Sequence, residues 1–80
     1  MRNIRNYITD SEFKIIIKKD NIYIENYIDV GNIYEKEIII FTKNNKIKIL
    51  GNNLYIKKML NKQILILGKY TNISFEDIDE

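Results

Sequence analysis

From Phe13 to Phe75 the chain alternates apolar and polar residues at period two, interrupted by short clusters of Asn, Gly, Asp and Lys. That is how half-buried β-strands joined by turns read, because successive side chains of a strand point to opposite faces. Phe13, Ile15 and Ile17 alternate with Lys14, Ile16 and Lys18, and Lys19, Asp20 and Asn21 then supply a turn. Ile22 and Ile24, set against Tyr23 and Glu25, make the return strand, so residues 13–25 predict a hairpin. The even-numbered series resumes at Ile28 and Val30, giving one strand over 22–30 or a kink or bulge at Asn26, before Gly31 and Asn32 allow a turn. Ile38, Ile39, Ile40 and Phe41 form an unbroken apolar run of strand length, which predicts cover on both faces. Asn44 and Asn45 suit a two-residue hairpin turn, since Asn tolerates positive φ.

The next stretch states one pattern twice. Ile47, Ile49, Leu50 and Gly51 recur as Ile64, Ile66, Leu67 and Gly68, and each copy leads into a second alternating pair, Leu54 with Ile56 and Ile73 with Phe75. The unit reads as strand, glycine turn, strand, with Gly51–Asn53 and Gly68–Lys69 as the turns. Residues 54–62 fit either a strand and loop or two turns of helix, with strand favoured over 54–58. Residues 1–12 place Ile4 and Ile8 at helical spacing beside Arg2 and Arg5, which a short helix, a loose arm or a short strand would satisfy. These spacings predict a small all-β domain of about seven short, mainly antiparallel strands over 13–75, with an N-terminal arm at 1–12 and an acidic tail at 76–80. A short β-solenoid-like stack is the alternative, because the doubled unit repeats at a fixed offset. The expected core is Ile15, Ile17, Ile24, Ile28, Ile40, Ile47, Ile49, Ile56, Ile64, Ile66, Ile73 and Phe75.

Composition narrows the chemistry. Eighty residues bury only about 60% of the surface of the unfolded chain, so the stability margin is thin. The absence of Cys and His removes disulfides, the usual zinc sites and the usual near-neutral acid–base residue, and no cofactor is expected. Ile and Tyr favour strands, although abundant Ile, Lys and Asn also suit an AT-rich genome, so the alternation carries more weight than the composition. No apolar run approaches the ~20 residues that span a bilayer, and charges stand where a signal peptide would have its apolar core. A soluble, cytoplasmic protein without a transmembrane segment is expected.

The net charge of +2 is unevenly spread. Between Glu37 and Glu76 there is no acid but there are seven lysines, among them Lys46, Lys48 and Lys57, which with Tyr55 and Tyr70 make a candidate basic face for a polyanion. The plainer reading is the solvated side of a sheet. Ile39, Phe41, Tyr55 and Tyr70 are candidate interface residues, given the two-faced apolar run and the enrichment of Tyr at interfaces. Asp29, Glu35 and Glu37 read as surface charge, because acid–base work needs carboxylates fixed in a pocket. Glycines 31, 51 and 68 match no phosphate loop. With no Pro to block an edge, self-association through an exposed strand is also expected.

One resemblance adds to this. IYIENYIDV at 22–30, IIIF at 38–41, KIKILGNNLYIKKM at 46–59 and ILILGKYTNISF at 64–75, in this order and spacing, resemble the YabP/YqfC family of sporulation proteins from endospore-forming bacteria, closer to the YqfC branch. The resemblance implies a non-enzymatic β protein of the mother cell, in the cytoplasm or peripheral at the forespore membrane. It would take part in assembling the spore's outer layers as a homo-oligomer or on a membrane-associated sporulation protein. It brings no catalytic motif and no residue roles. Relatives in that branch have a longer basic lead than the twelve residues that precede the first strand here. The runner-up function is a small nucleic-acid-binding β domain using the Lys and Tyr face.

Overall fold

A computed structural model describes residues 13–78. They form six strands and no helix: β1 Lys14–Ile17, β2 Asn21–Glu25, β3 Asp29–Tyr34, β4 Glu37–Phe41, β5 Asn45–Leu60 and β6 Gln63–Asp77. All pair antiparallel in one sheet of order β1-β2-β6-β5-β4-β3, so the sheet is antiparallel throughout and is not a solenoid stack.

The doubled pattern is the long central hairpin. Gly51–Asn53 and Gly68–Lys69 do not reverse the chain as the sequence suggests; they lie inside β5 and β6, which is why there are six strands and not about seven. The reversal comes at Asn61 and Lys62, both with positive φ (52° and 64°), the twist that suits a two-residue hairpin loop. Of the residues read as ambiguous, 54–62, the first seven are strand and Asn61 and Lys62 are the turn. Ile47 and Ile49 pair with Phe75 and Ile73, while Ile56 pairs with Ile66, so the first half of each copy lies against the second half of the other. Outer strands repeat the relation: β4 sets Ile38 and Ile40 beside Ile49 and Ile47, as β2 sets Ile22 and Ile24 beside Ile66 and Ile64. The whole sheet therefore has an approximate two-fold axis through the middle of the hairpin.

This hairpin cannot be flat. The end of β2, Glu25, is registered with Gln63 at the tip, and the start of β3, Asp29, is registered through Phe41 and Lys46 with Glu76 at the base. Gln63 and Glu76 would lie about 43 Å apart on a straight strand, yet the link from Glu25 to Asp29 spans at most about 15 Å. Tip and base must meet. Asn26 N–H donates to the Lys62 carbonyl at the tip (2.8 Å), and Ile28 N–H donates to the Phe41 carbonyl near the base (2.7 Å). The ring of Phe13, just before β1, stacks on that of Phe75 at a centroid distance of 6.3 Å. One sheet thus folds into two layers, with a shortest extent of 20 Å.

The crease is built from register shifts at Leu50/Gly51, Asn52/Tyr55 and Ile56/Lys58. Gly51 and Gly68 let the strands cross closely there: a Cβ on Gly51 would stand 2.1 Å from the Lys69 carbonyl oxygen, and one on Gly68 (φ +125°) would stand 2.5 Å from that of Asn53. Each bulge also flips the inward face. On β6, Ile64 and Ile66 point inward before the shift and Ile73 and Phe75 after it. On β5, Ile47 and Ile49 give way to Leu54 and Ile56.

The core joins both layers: Ile22, Ile24, Ile64 and Ile66 from one, Ile38, Ile40, Ile47 and Ile49 from the other, and Leu54 at the crease. Six of the twelve expected core residues are buried: Ile24, Ile40, Ile47, Ile49, Ile64 and Ile66. Ile15, Ile56 and Ile73 pack against them half-buried. Ile17, Ile28 and Phe75 are exposed at 45%, 58% and 47%, because β1 is an edge, Ile28 lies on the connector and Phe75 lines an open side. Of the two readings of 22–30, one strand or an interruption at Asn26, the chain takes the second: β2 ends at Glu25 and the Asn26 φ of 65° turns the chain towards β3. Gly31 and Asn32 form a bulge within β3, not a turn. The loop expected at Asn44–Asn45 is Lys43–Asn44, one residue earlier, closed by one side-chain and one backbone bond: Thr42 Oγ1 accepts the Asn45 N–H (3.1 Å) and the Thr42 N–H donates to the Asn45 carbonyl (2.8 Å). Glu76 and Asp77, assigned to the tail from sequence, continue β6 opposite Lys46 and Asn45. The expectations for residues 1–12 lie outside the described residues.

Truncating Ile49 or Ile66 to Ala is expected to cost about 2–5 kcal/mol in thermal or urea unfolding, and unchanged melting would show that these registers are wrong. Gly68→Ala and Lys62→Gly should move stability in opposite directions. The first forces a side chain into backbone and should cost more than about 2 kcal/mol. The second relieves a left-handed non-glycine residue and should add about 0.5 kcal/mol or more.

Candidate functional site: the outer face and the sheet edges

Among the described residues, no group of three or more acidic, Cys or His side chains is placed to hold a metal ion. What the fold does present is sheet surface and strand edges.

The outer face of the base layer carries two of the candidate interface residues beside two of the candidate basic ones. Ile39 pairs with Lys48 and Phe41 with Lys46, so alternation sets all four on one side. Ile39 is nonetheless 8% exposed, so most of its surface is already covered by its own chain. The Phe41 ring lies over Gly31, where a Cβ would stand 3.0 Å from its Cε2 atom. Lys46 faces Glu76 across the hairpin, with Nζ–Oε1 at 3.9 Å and both side chains substantially exposed, a contact of little energetic weight. The other candidates lie elsewhere. Lys57 is the extra residue of a bulge in the tip layer, Tyr55 pairs with Leu67 on the outside of that layer, and Tyr70 packs towards the core. The structure therefore brings together Ile39, Phe41, Lys46 and Lys48, and separates Lys57, Tyr55 and Tyr70 from them. β4 is flanked by β3 and β5, so its backbone edges are both used.

The tip layer has its own outer apolar surface, on which Ile16 pairs with Tyr23 and Tyr23 with Leu65. Tyr23, Lys58, Leu60, Gln63, Ile64 and Leu65 line a shallow depression there. Tyr23 donates a hydrogen bond to Glu25 Oε2 (2.7 Å). Loss of that bond on ionisation, then desolvation, then the nearby negative charge raise the tyrosine above its ordinary value.

Edges were not legible in the sequence, because they depend on strand order. β1 and β3 end the sheet, and each arm of the central hairpin outruns its neighbour: β2 covers only residues 63–67 of β6, and β4 only 46–50 of β5. The free arm of β5 is partly sealed, since Gly51 and Leu54 donate their N–H groups to the carbonyls of Lys36 and Glu35 in the β3–β4 turn. The free arm of β6, from Tyr70 to Asp77, has no such cover among the described residues. It lies beside β1, with Tyr70 Oη donating to the Lys18 carbonyl (2.9 Å) and Phe75 stacked on Phe13. Yet no Cα of β1 comes within 8 Å of β6, well beyond the 4.7–4.9 Å of paired strands. This is an open seam.

A model of the YabP family matches residues 10–80. The chain belongs to the YabP family. YabP membership makes it a sporulation-associated protein with an all-β fold. No curated protein and no solved structure matches it. No helix among the described residues is long and apolar enough to cross a membrane.

Tyr23 gives this surface a pH signature. With its folded-state value above the unfolded one, its contribution to stability is complete below about pH 10 and is lost as pH rises through the raised value. Tyr23→Phe should flatten part of the alkaline fall in stability, and superimposable alkaline melting curves for the two proteins would count against the Tyr23–Glu25 bond.

Proposed function

We propose that this YabP-family protein acts in spore formation by binding, without catalysis, as a small building or docking element for the spore's outer layers. The family match over residues 10–80 carries the reading. The uncovered arm of β6 supports it, since an unpaired strand edge offers backbone hydrogen bonds to a further strand. We place the chain closer to the YqfC branch on the strings at 22–30, 38–41, 46–59 and 64–75, and its site of action in the mother cell, in the cytoplasm or at the forespore membrane. Partners of this kind are a second copy or a membrane-associated sporulation protein.

Nucleic-acid binding has less behind it. A backbone-tracking surface needs its cations in a row. Lys57 stands apart from Lys46 and Lys48, and Lys46 faces Glu76.

Deleting the gene and counting heat-resistant spores tests the reading directly. A loss that the intact gene restores is expected, and undiminished spore counts would overturn it. Binding to whatever partner is recovered should change little with salt, whereas a steep decline would move the case to phosphate contacts.

A further inference from the structure

Among the described residues, the seam between β1 and β6 leaves two strand edges unpaired, and their properties match. Lys18 donates its N–H to the Asn21 carbonyl in line with the β1–β2 register, so residues 14, 16 and 18 turn their backbone groups to β2. Residues 13, 15 and 17 turn theirs outward. Ile78 likewise donates to the Asn44 carbonyl, which sets 72, 74 and 76 towards β5 and leaves 73, 75 and 77 outward. Inward-facing side chains flank both edges, Ile15 and Ile17 on β1, Ile73 and Phe75 on β6. Ile17 and Phe75 remain nearly half exposed. The charges are opposite: Lys14 and Lys18 on one edge, Glu76 and Asp77 on the other.

We propose that two copies of this chain join seam to seam in a closed two-fold dimer, β1 of each pairing antiparallel with the free arm of β6 of the other. This deepens the self-assembly part of the proposed function and rests on that reading. The axis runs along the strands between the two layers, so each layer of one copy continues into the opposite layer of the next. Rotation about such an axis keeps every residue at its own height. The alignment across the seam within one copy, Phe13 beside Phe75 and Lys18 beside Tyr70, is then also the alignment between copies. It sets Ile15 opposite Ile73 and Phe13 opposite Phe75, all with outward backbone groups and inward side chains. Lys14 falls diagonally across from Glu76 on the outer face.

Other pairings fit less well. Two β6 arms would put acidic residues on both edges and two β1 strands would put lysines on both, so neither pairing has opposite charges to match. β3 is bulged at Gly31–Asn32 and the β5 arm at Lys57, and bulges discourage strand addition.

Light scattering and sedimentation of the full chain across a concentration series test the dimer, which should appear at twice the monomer mass. Ile17→Pro removes an outward N–H and no β1–β2 bond, and should weaken dimerisation at least about tenfold. Lys14→Glu and Glu76→Lys should each weaken it as well, and the double swap should restore it. Should Ile17→Pro melt early, the charge swap alone decides. A monomer at every concentration overturns the proposal, as does a dimer indifferent to these changes. A monomer whose amides at 15, 17, 73 and 75 exchange slowly also overturns it, because its own chain then covers the edge. Failure here with spores still lost on gene deletion leaves the binding role standing, and a dimer with undiminished spores does the reverse.

Discussion

The short link from Glu25 to Asp29 forces the tip of the central hairpin back onto its base, and the rest of the molecule follows from that closure. An isolated layer would leave a face of isoleucines in water, at about 1.5–3 kcal/mol for each side chain. Folding the sheet across its own middle puts the two isoleucine faces against each other, so one hairpin supplies the centre of both layers. A chain without cysteine or histidine gains its core in this way from four short strands and one long pair.

Bending so long a hairpin has a conformational cost, and it is concentrated at the crease. Gly51 and Gly68 stand where the partner backbone approaches too closely for a side chain, and Asn53 takes a positive φ beside Gly68. The bulges there are what keep isoleucine inward on both sides of the bend. Without them, a strand that faced the core before the crease would face solvent after it.

Those same features explain how far the sequence could be read. Alternation located the strands around Ile22–Ile24, Ile47–Ile49 and Ile64–Ile66, each within one unbroken register, and the apolar run marked Ile38–Phe41, but β3 stayed hidden because Gly31 and Asn32 read as a turn. Parity carried across an interruption did not hold: Ile28 follows Ile22 and Ile24 at even spacing but lies on a connector beyond the left-handed Asn26. A glycine followed by asparagines looks alike whether it reverses the chain or creases a strand. What separates the two is pairing with a distant segment, which local pattern does not contain. The apolar run at 38–41 was legible as covered on both faces, and Ile39 is, but what flanks it, β3 and β5, was not legible. The candidate site was less legible still. Strand edges are defined by neighbours, so the lysines and tyrosines visible in the sequence pointed to faces, while the open seam had no local signature.

The approximate two-fold symmetry makes the position of that seam understandable. Related strands should be covered alike, and at one place the cover differs. The β3–β4 turn lays the carbonyls of Glu35 and Lys36 against the β5 arm, where they accept the N–H groups of Leu54 and Gly51. The related β1–β2 turn bonds to itself, Lys18 N–H to the Asn21 carbonyl, and reaches the β6 arm only through the Tyr70 hydroxyl. A side-chain hydroxyl spans a wider gap than a backbone amide, so this side is held open where the other is closed. The difference therefore lies in the short Lys18–Asn21 turn. Among the described residues it leaves Phe75 at the surface and a row of outward amides beside it, in a domain with little apolar surface to spare.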